Sequence, residues 1–469
     1  MSKQLYEFGM IGLGVMGRNF LLNVADNGYS IIGLDTSEEK ASALKEETSG
    51  KNAMSTTDMK TFVASLKKPR KIMMLVPAGK VVDLVIDGLL KHVEEGDLII
   101  DGGNSFFADT DRRLAYLKEK KIDFLGVGVS GGAKGARFGP SIMPGGSKRA
   151  YNKVRKILEA VSAKVDGAPC VAYMGKGSAG NYVKMVHNGI EYAMMQLLAE
   201  SYDILKNIGG LNNDELQKAY AKYNRGKLKS FLVEITAAIF NQKDELSRGM
   251  LVDKILDKAK QKGTGKWTSQ NAMDFGIPVP TIDAAVTMRG ISSQKDERIN
   301  AAKTLKVPAT KSKVAKATIV KLVGEALHFA FITAYAQGLA LLSEASKENK
   351  YGLDLEATAR IWRGGCIIRA ALLEDIRKAY DGQTDLPNLM VDKKIAKQLK
   401  ATQKSTRNVI KRAIDAGIPT LAFNASLAYF DAYRTARLPL NLTQAQRDYF
   451  GSHTYERLDK AGIFHTEWE

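Results

Sequence analysis

Residues 181–192 read Asn-Tyr-Val-Lys-Met-Val-His-Asn-Gly-Ile-Glu-Tyr and place Lys184, Asn188, Glu191 and Tyr192 at i, i+4, i+7 and i+8. On a helix those spacings stack the four side chains on one face. An amine, a carboxamide, a carboxyl and a phenol side by side are groups that can exchange protons and hydrogen bonds with a bound molecule. An ordinary solvated face has the same spacing. Val183, Val186, Ile190, Met194 and Leu197 form an opposing apolar stripe, so the segment is expected to be a helix packed on a core with its polar face turned outward.

A helix of this kind needs something to hold a second reactant beside it, and the start of the chain supplies a candidate. Gly12-Leu13-Gly14-Val15-Met16-Gly17 follows an apolar run and opens an amphipathic stretch. That is the setting of a dinucleotide fingerprint. The first glycine permits the tight turn, the second lets the backbone approach a pyrophosphate, and the third lets helix and strand pack closely. The pyrophosphate then sits at a helix amino terminus, where free N–H groups and the helix dipole favour an anion. Asp35, at the end of the second apolar run and followed by Thr36 and Ser37, stands where an acidic residue accepts hydrogen bonds from the adenosine ribose. A carboxylate there repels a 2′-phosphate, so NAD is expected to be preferred over NADP unless Arg18 or Lys40 compensates.

The 469 residues suggest two to three domains, and 45% hydrophobic with 26% charged residues is a globular composition. Cys170 and Cys366 are far apart and argue against a disulfide framework. No long uncharged run precedes the glycine fingerprint, so a cytoplasmic protein is expected. Residues 326–343 carry no charge, but His328, Thr333, Gln337 and Ser343 recur through them, which favours a buried core helix over a membrane span. The net charge of +18 is a cue for polyanions. Lys393, Lys397, Lys400, Lys404, Arg407 and Lys411 recur at helical spacing, which reads as a solvated helix face. No zinc-finger or RNA-recognition motif accompanies them, so nucleic acid is not the expected partner.

Short apolar runs at Phe8–Leu13, Ser30–Leu34, Lys71–Val76, Asp97–Ile100, Phe124–Val129 and Cys170–Tyr173 alternate with helical stretches. This rhythm predicts a Rossmann-like, doubly wound parallel α/β domain over 1–177. From 178 to 438 helical periodicity predicts an all-α domain. Within it Gln196–Ile235 loosely echoes Gln337–Ile376, suggesting two similar helical units. Residues 439–469 form a polar and aromatic tail with too little apolar surface to fold alone, expected to dock elsewhere.

Longer motifs carry a resemblance over nearly the whole chain: Ile99-Ile100-Asp101-Gly102-Gly103-Asn104, Gly128-Val129-Ser130-Gly131-Gly132, Met143-Pro144-Gly145-Gly146, the 184–192 face, Lys262-Gly263-Thr264-Gly265-Lys266-Trp267-Thr268, Arg289, and Arg447 to His453. Together they make the chain similar to the decarboxylating 6-phosphogluconate dehydrogenases of the β-hydroxyacid dehydrogenase superfamily. The resemblance implies a pentose phosphate pathway oxidoreductase that converts 6-phosphogluconate to ribulose 5-phosphate and carbon dioxide with hydride transfer to NAD(P). It implies Lys184 as the base for the carbon 3 hydroxyl, Glu191 as the acid for carbon 1, and Asn188 and His187 as residues that hold substrate and nicotinamide. Asn104 would touch both cofactor and substrate, Val76, Pro77 and Ala78 would form a turn under the nicotinamide, and Ser130, Gly131 and Gly132 would offer hydrogen bonds to the carboxylate. Tyr192, Lys262, Thr264, Arg289 and Arg447 would hold the phosphate. In the family the tail comes from the partner, so Arg447 and His453 would complete the other chain's site in an obligate homodimer. A β-keto acid intermediate needs no metal, and the five histidines show no His-x-x-x-His spacing.

The chain departs from the family at three places. Asp35-Thr36-Ser37 replaces a common Asn-Arg-Thr, Ala133-Lys134 stands where two glutamates are usual, and Pro77 replaces a lysine. Two further readings remain at this stage: a related β-hydroxyacid dehydrogenase acting on a smaller acid, which has no use for Lys262, Arg289 and Arg447, and a non-catalytic nucleic-acid-binding protein on the same scaffold.

Overall fold

The computed structural model describes residues 4–307, 314–383 and 386–468. Seven strands and seven helices alternate in the first part: β1 (Phe8–Ile11), α1 (Val15–Asp26), β2 (Ile31–Leu34), α2 (Glu38–Glu47), β3 (Ala53–Thr56), α3 (Met59–Ala64), β4 (Lys71–Met74), α4 (Lys80–Leu89), β5 (Leu98–Asp101), α5 (Phe107–Glu119), β6 (Asp123–Ser130), α6 (Gly132–Phe138), β7 (Ser141–Gly146) and α7 (Lys148–Val161). They form one sheet in the order β3-β2-β1-β4-β5-β6-β7. The order reverses between β1 and β4, which opens a crevice at the carboxyl ends of those strands.

Two expectations are corrected here. The sheet is mixed, because β7 runs antiparallel to β6 from Ser130↔Ser141 to Leu125↔Gly146. Residues 170–173 are not a strand: only Val171 bridges, to Ile142. The intervening Gly139 and the short α6 return the chain to the edge of the sheet within a few residues, where the antiparallel β7 takes the place a parallel strand would have needed a longer crossover to reach.

Helices follow: α8 (Ala179–Asn207), α9 (Asn213–Tyr223), α10 (Phe231–Phe240), α11 (Thr264–Asp274), α12 (Pro280–Ser293), α13 (Lys295–Thr304), α14 (Lys316–Glu348), α15 (Leu355–Trp362), α16 (Leu372–Tyr380), α17 (Lys393–Asp415), α18 (Leu421–Tyr433) and α19 (Leu440–Gly451). The uncharged stretch at 326–343 lies inside α14 and is almost wholly buried. A long helix followed by two short ones occurs twice, as α8–α10 and α14–α16, and the two sets meet where Ser230 bridges Ala370 in antiparallel fashion. The lysine stripe of α17 lies on its exposed face, with Arg407 paired to Asp431.

The long helix α8 lies directly on the sheet because glycine removes the side chains between them. A Cβ on Gly180 would stand 2.2 Å from the Gly126 carbonyl oxygen and 2.3 Å from that of Met143, and one on Gly128 would stand 2.4 Å from Lys184 Cβ. Farther along, Gly189 admits Thr268 of α11, whose hydroxyl donates to the Met185 carbonyl at 3.0 Å, and Gly338 of α14 admits Ile190. These neighbours leave α8 no polar outer face in its first half, so the expected outward orientation of Lys184 and Asn188 is corrected: both are buried. The contact on Gly180 is with backbone atoms that cannot rotate away. Gly180→Ala is expected to lower unfolding free energy by about 1–3 kcal/mol. Gly88→Ala in α4, whose Cβ would meet nothing nearer than 3.7 Å, is expected to gain about 0.5–1 kcal/mol. Urea unfolding of the two variants checks both signs.

Candidate active site

The glycine loop between β1 and α1 has the geometry its sequence requires. Gly12 has φ +91° with the Leu75 carbonyl oxygen at 2.6 Å from where a Cβ would be, and a Cβ on Gly17 would overlap the Gly12 carbonyl. Gly14 has nothing within 4 Å of that position, which leaves the open approach a pyrophosphate uses. Val15 and Met16 open α1 above it. Asp35 is buried behind the loop, its two carboxylate oxygens accepting the Leu13 N–H at 2.8 Å and the Ser37 N–H at 3.0 Å. A carboxylate has about four acceptor positions, so two remain for ribose hydroxyls. Thr36 is exposed beside it. Of the cations that could offset this charge, Lys40 lies 3.5 Å from Asp35 and Arg18 is paired with Glu47.

Two further loops close on the same crevice. Val76-Pro77-Ala78 leads from β4 into α4, with Pro77 and Ala78 exposed, and Asn104 is exposed at the end of β5. The two loops meet where a Cβ on Gly103 would lie 3.4 Å from the Val76 carbonyl oxygen. Asn181 of α8 ties the second loop to the helical part by donating to the Gly103 carbonyl at 3.4 Å.

From β6 the polar groups continue as one chain of hydrogen bonds. Ser130 Oγ is 3.3 Å from His187 Nε2, His187 Nδ1 is 3.1 Å from Asn188 Oδ1, and Asn188 Nδ2 donates to Thr264 Oγ1 at 3.2 Å. The asparagine orientation makes Nδ1 the donating nitrogen of His187 and Nε2 the acceptor of the serine hydroxyl. His187 is 0% exposed and rests edge-on against Trp362. Burial, and then the nearby Lys184, push its pKa well down, so the imidazole is neutral.

Lys184 is 6% exposed, with Nζ 3.5 Å from His187 Nδ1. Burial lowers its pKa, opposed by the charge of Glu191. Burial raises the Glu191 pKa, opposed by Lys184 and Arg289. An amine held toward neutrality and a carboxyl held toward protonation on one helix face can serve as a base and an acid toward one small molecule.

Gly131 and Gly132 follow Ser130 at φ +122° and +63°. Gly131 packs so closely on the Gly365 carbonyl, 2.5 Å from a notional Cβ, that the Ser-Gly-Gly turn and the α15–α16 loop form one wall. On the opposite side, Thr264 begins α11, so that the amino terminus of this helix lies beside Asn188, whose amide donates to the Thr264 hydroxyl. Tyr192 packs against Gly265, and the Arg289 guanidinium lies 4.9 Å over its ring. Lys262 is exposed just ahead of α11.

Arg447 and His453 are not gathered into this site. Both are exposed on the tail, where Arg447 donates to Gln444 at 3.1 Å and His453 touches Phe450. The tail has local structure, built around one carboxylate. Fully buried Asp448 accepts the N–H groups of Thr454 and Thr466 and the Trp468 indole N–H at 2.9–3.1 Å, and pairs with His465. Sequence patterns did not single out Asp448, Trp362 or Gly365, since none belongs to a periodic face or a glycine fingerprint, and Asn181, one turn before Lys184 on the same helix face, was passed over because its partners Gly103 and Thr110 lie in distant segments. Among the described residues no group of three or more His, Cys, Asp or Glu is placed to hold a metal ion.

Comparison with known proteins accords with this geometry. The family profile for the NAD binding domain of 6-phosphogluconate dehydrogenase matches residues 7–175, and that for the 6-phosphogluconate dehydrogenase C-terminal domain matches residues 180–468. A decarboxylating, NADP(+)-dependent 6-phosphogluconate dehydrogenase of Bacillus subtilis is 51% identical over the full length of both chains. A chloroplastic decarboxylating enzyme of Arabidopsis thaliana is 49% identical over 100% of this chain and 98% of its own. The solved Plasmodium falciparum 6-phosphogluconate dehydrogenase, described in complex with its cofactor NADP+ and its substrate 6-phosphogluconate, is 46% identical. It superposes with a TM-score of 0.95 over 98% of this chain and 100% of its own. The chain therefore belongs to the 6-phosphogluconate dehydrogenase family, the NAD(P)-dependent decarboxylating oxidoreductases of the pentose phosphate pathway.

Proposed function

We propose that the cleft between the sheet and α8 oxidises 6-phosphogluconate at carbon 3 and releases carbon 1 as carbon dioxide, with the residues above in defined roles. The observation that carries this reading is the placement of buried Lys184 and part-buried Glu191 on one helix face between the Ser130 turn and the start of α11. Neutral Lys184 takes the proton of the carbon 3 hydroxyl. The bound dinucleotide supplies a hydride acceptor at that carbon. The new ammonium then donates to the ketone oxygen, which receives the electron pair left when the carbon 1 carboxylate departs. Glu191 returns a proton to carbon 1 of the enediol, giving ribulose 5-phosphate. Asn188 and His187 hold the hydroxyls, Asn104 reaches substrate and nicotinamide, and Ser130, Gly131 and Gly132 hold the carboxylate. Tyr192, Lys262, Thr264 and Arg289 receive the phosphate, a donor set suited to a dianion.

The cofactor contacts follow the same reading: Gly12 to Gly17 for the pyrophosphate, Asp35, Thr36 and Ser37 for the adenosine ribose, and Val76, Pro77 and Ala78 beneath the nicotinamide. NAD is preferred, because the buried Asp35 charge faces the 2′ position and its nearest cations are already committed, one to Asp35 itself. The Bacillus subtilis relative is named as NADP(+)-dependent, and the Asp35 reading sets this chain apart from it in cofactor choice. The working unit is a homodimer in the cytoplasm whose tails exchange. The tail exposes Leu442, Tyr449 and Phe450 on one face beside Ala445 and Trp468, an apolar surface that matches a role at a subunit contact, with Arg447 and His453 entering the partner's site.

Absorbance at 340 nm with 6-phosphogluconate, run beside a carbon dioxide assay, is expected to give equal reduction and gas with a higher kcat/KM for NAD. Reduction without gas, or none, removes the substrate assignment, and a higher kcat/KM for NADP removes the Asp35 argument alone. Lys184→Ala and Arg447→Ala subunits, each inactive alone, are expected to recover about a quarter of the sites when mixed and reassembled, because half of the dimers are hybrids with one intact site. No recovery in hybrids of confirmed composition contradicts tail exchange.

A further inference from the structure

Arg113 is a cation the proposed chemistry does not use, and it is 1% exposed on α5. A buried guanidinium is costly unless each donor finds a partner. Its Nε donates to Asp83 of α4 at 2.8 Å, and Nη2 reaches the second Asp83 oxygen at 3.2 Å. Nη2 also donates to the Gly79 carbonyl at 3.0 Å, where the Val76-Pro77-Ala78 turn enters α4 at φ +90°. On the other side Nη1 reaches Ser105 Oγ at 3.4 Å and lies 3.6 Å from Asp101. Asp101 in turn accepts the Ser105 hydroxyl at 2.6 Å and the Gly103 N–H at 2.9 Å, so it holds both residues that flank Asn104.

We infer that Arg113 is a positioning residue that fixes the turn beneath the nicotinamide and the Asn104 loop relative to each other. The planar fork holds Gly79 and Asp83 with one edge and the Asp101–Ser105 pair with the other. Asn181 carries the same link onward to α8, three residues before Lys184. Lysine has one point charge and cannot span both sides. The inference rests on the dinucleotide and substrate assignments above.

The test is Arg113→Lys, with kcat normalised to titrated active sites and with the Kd of reduced dinucleotide measured by its fluorescence. Misplacing both loops is expected to lower kcat/KM for the dinucleotide by on the order of 100-fold, through a higher KM and a lower kcat together. Arg112→Lys, next to it and on the same Asp83 but exposed, is expected to leave both constants unchanged. Merely structural damage would reduce the active fraction while the remaining sites kept the parent KM and Kd, and that result overturns the inference, as does a variant within twofold of the parent. Should Arg113→Lys not fold, Asp83→Asn and Ser105→Ala cut the two ends of the fork separately, and parent-like constants in both overturn it. If the parent itself does not turn over 6-phosphogluconate, the substrate reading has failed, and the dinucleotide Kd still decides the role of Arg113.

Discussion

The close approach of α8 to the β6–β7 edge is the constraint from which the site follows. Gly126, Gly128 and Gly145 on the strands and Gly180 on the helix bring backbone against backbone, a separation any side chain would prevent. Lys184 is thereby pressed to the end of β6 rather than left at the surface of a helix. Gly189 and Gly338 allow α11 and α14 to close on the remaining sides of the same segment. The rotation and depth of α8 are then set by these glycine contacts, with the stem of Lys184 itself seated on Gly128. The amine, the imidazole, the amide and the carboxyl take their places from backbone packing.

Burial is also the source of the electrostatics. Neither Lys184 nor Glu191 has a full ion-pair partner in the cleft, so desolvation is the largest influence on each: it lowers the amine and raises the carboxyl. The two charges pull each other back, which makes them a coupled pair. The signs fix the shape of the pH dependence. The proposed base is lost as pH falls through the Lys184 midpoint, and the proposed acid is lost as pH rises through that of Glu191. His187 stays neutral across this range and serves to orient its neighbours. Farther along α8, buried Glu200, pushed up to about 7 by burial, accepts the Ala422 and Phe423 N–H groups at the start of α18. The helix that carries the proposed chemistry thus also anchors the last helix before the tail.

Much of this was legible in the sequence where a local rule has a local cause. The glycine fingerprint and the 181–192 periodicity are such cases, because tight turns and helix faces depend on residues close in the chain. β3 was missed because Ala53–Thr56 is a short and half-exposed edge with little apolar content. β7 was missed because Met143-Pro144-Gly145-Gly146 reads as a turn, yet an edge strand tolerates proline and the glycines admit α8. Periodicity identified the polar face of α8 but not what lies on that face, so its burial was not foreseen. Arg113 and Asp101 resemble solvated charges until the fold buries them, since their partners come from three separate segments.

The central physical claim is that packing keeps the Lys184 amine out of water. An NMR titration of 15N-labelled lysine Nζ groups, with Lys184 assigned by its absence in Lys184→Arg, tests it directly. A midpoint below the usual lysine value of about 10.4 is expected. A midpoint at or above that value would contradict a desolvated base and, with it, the role given to the glycine contacts.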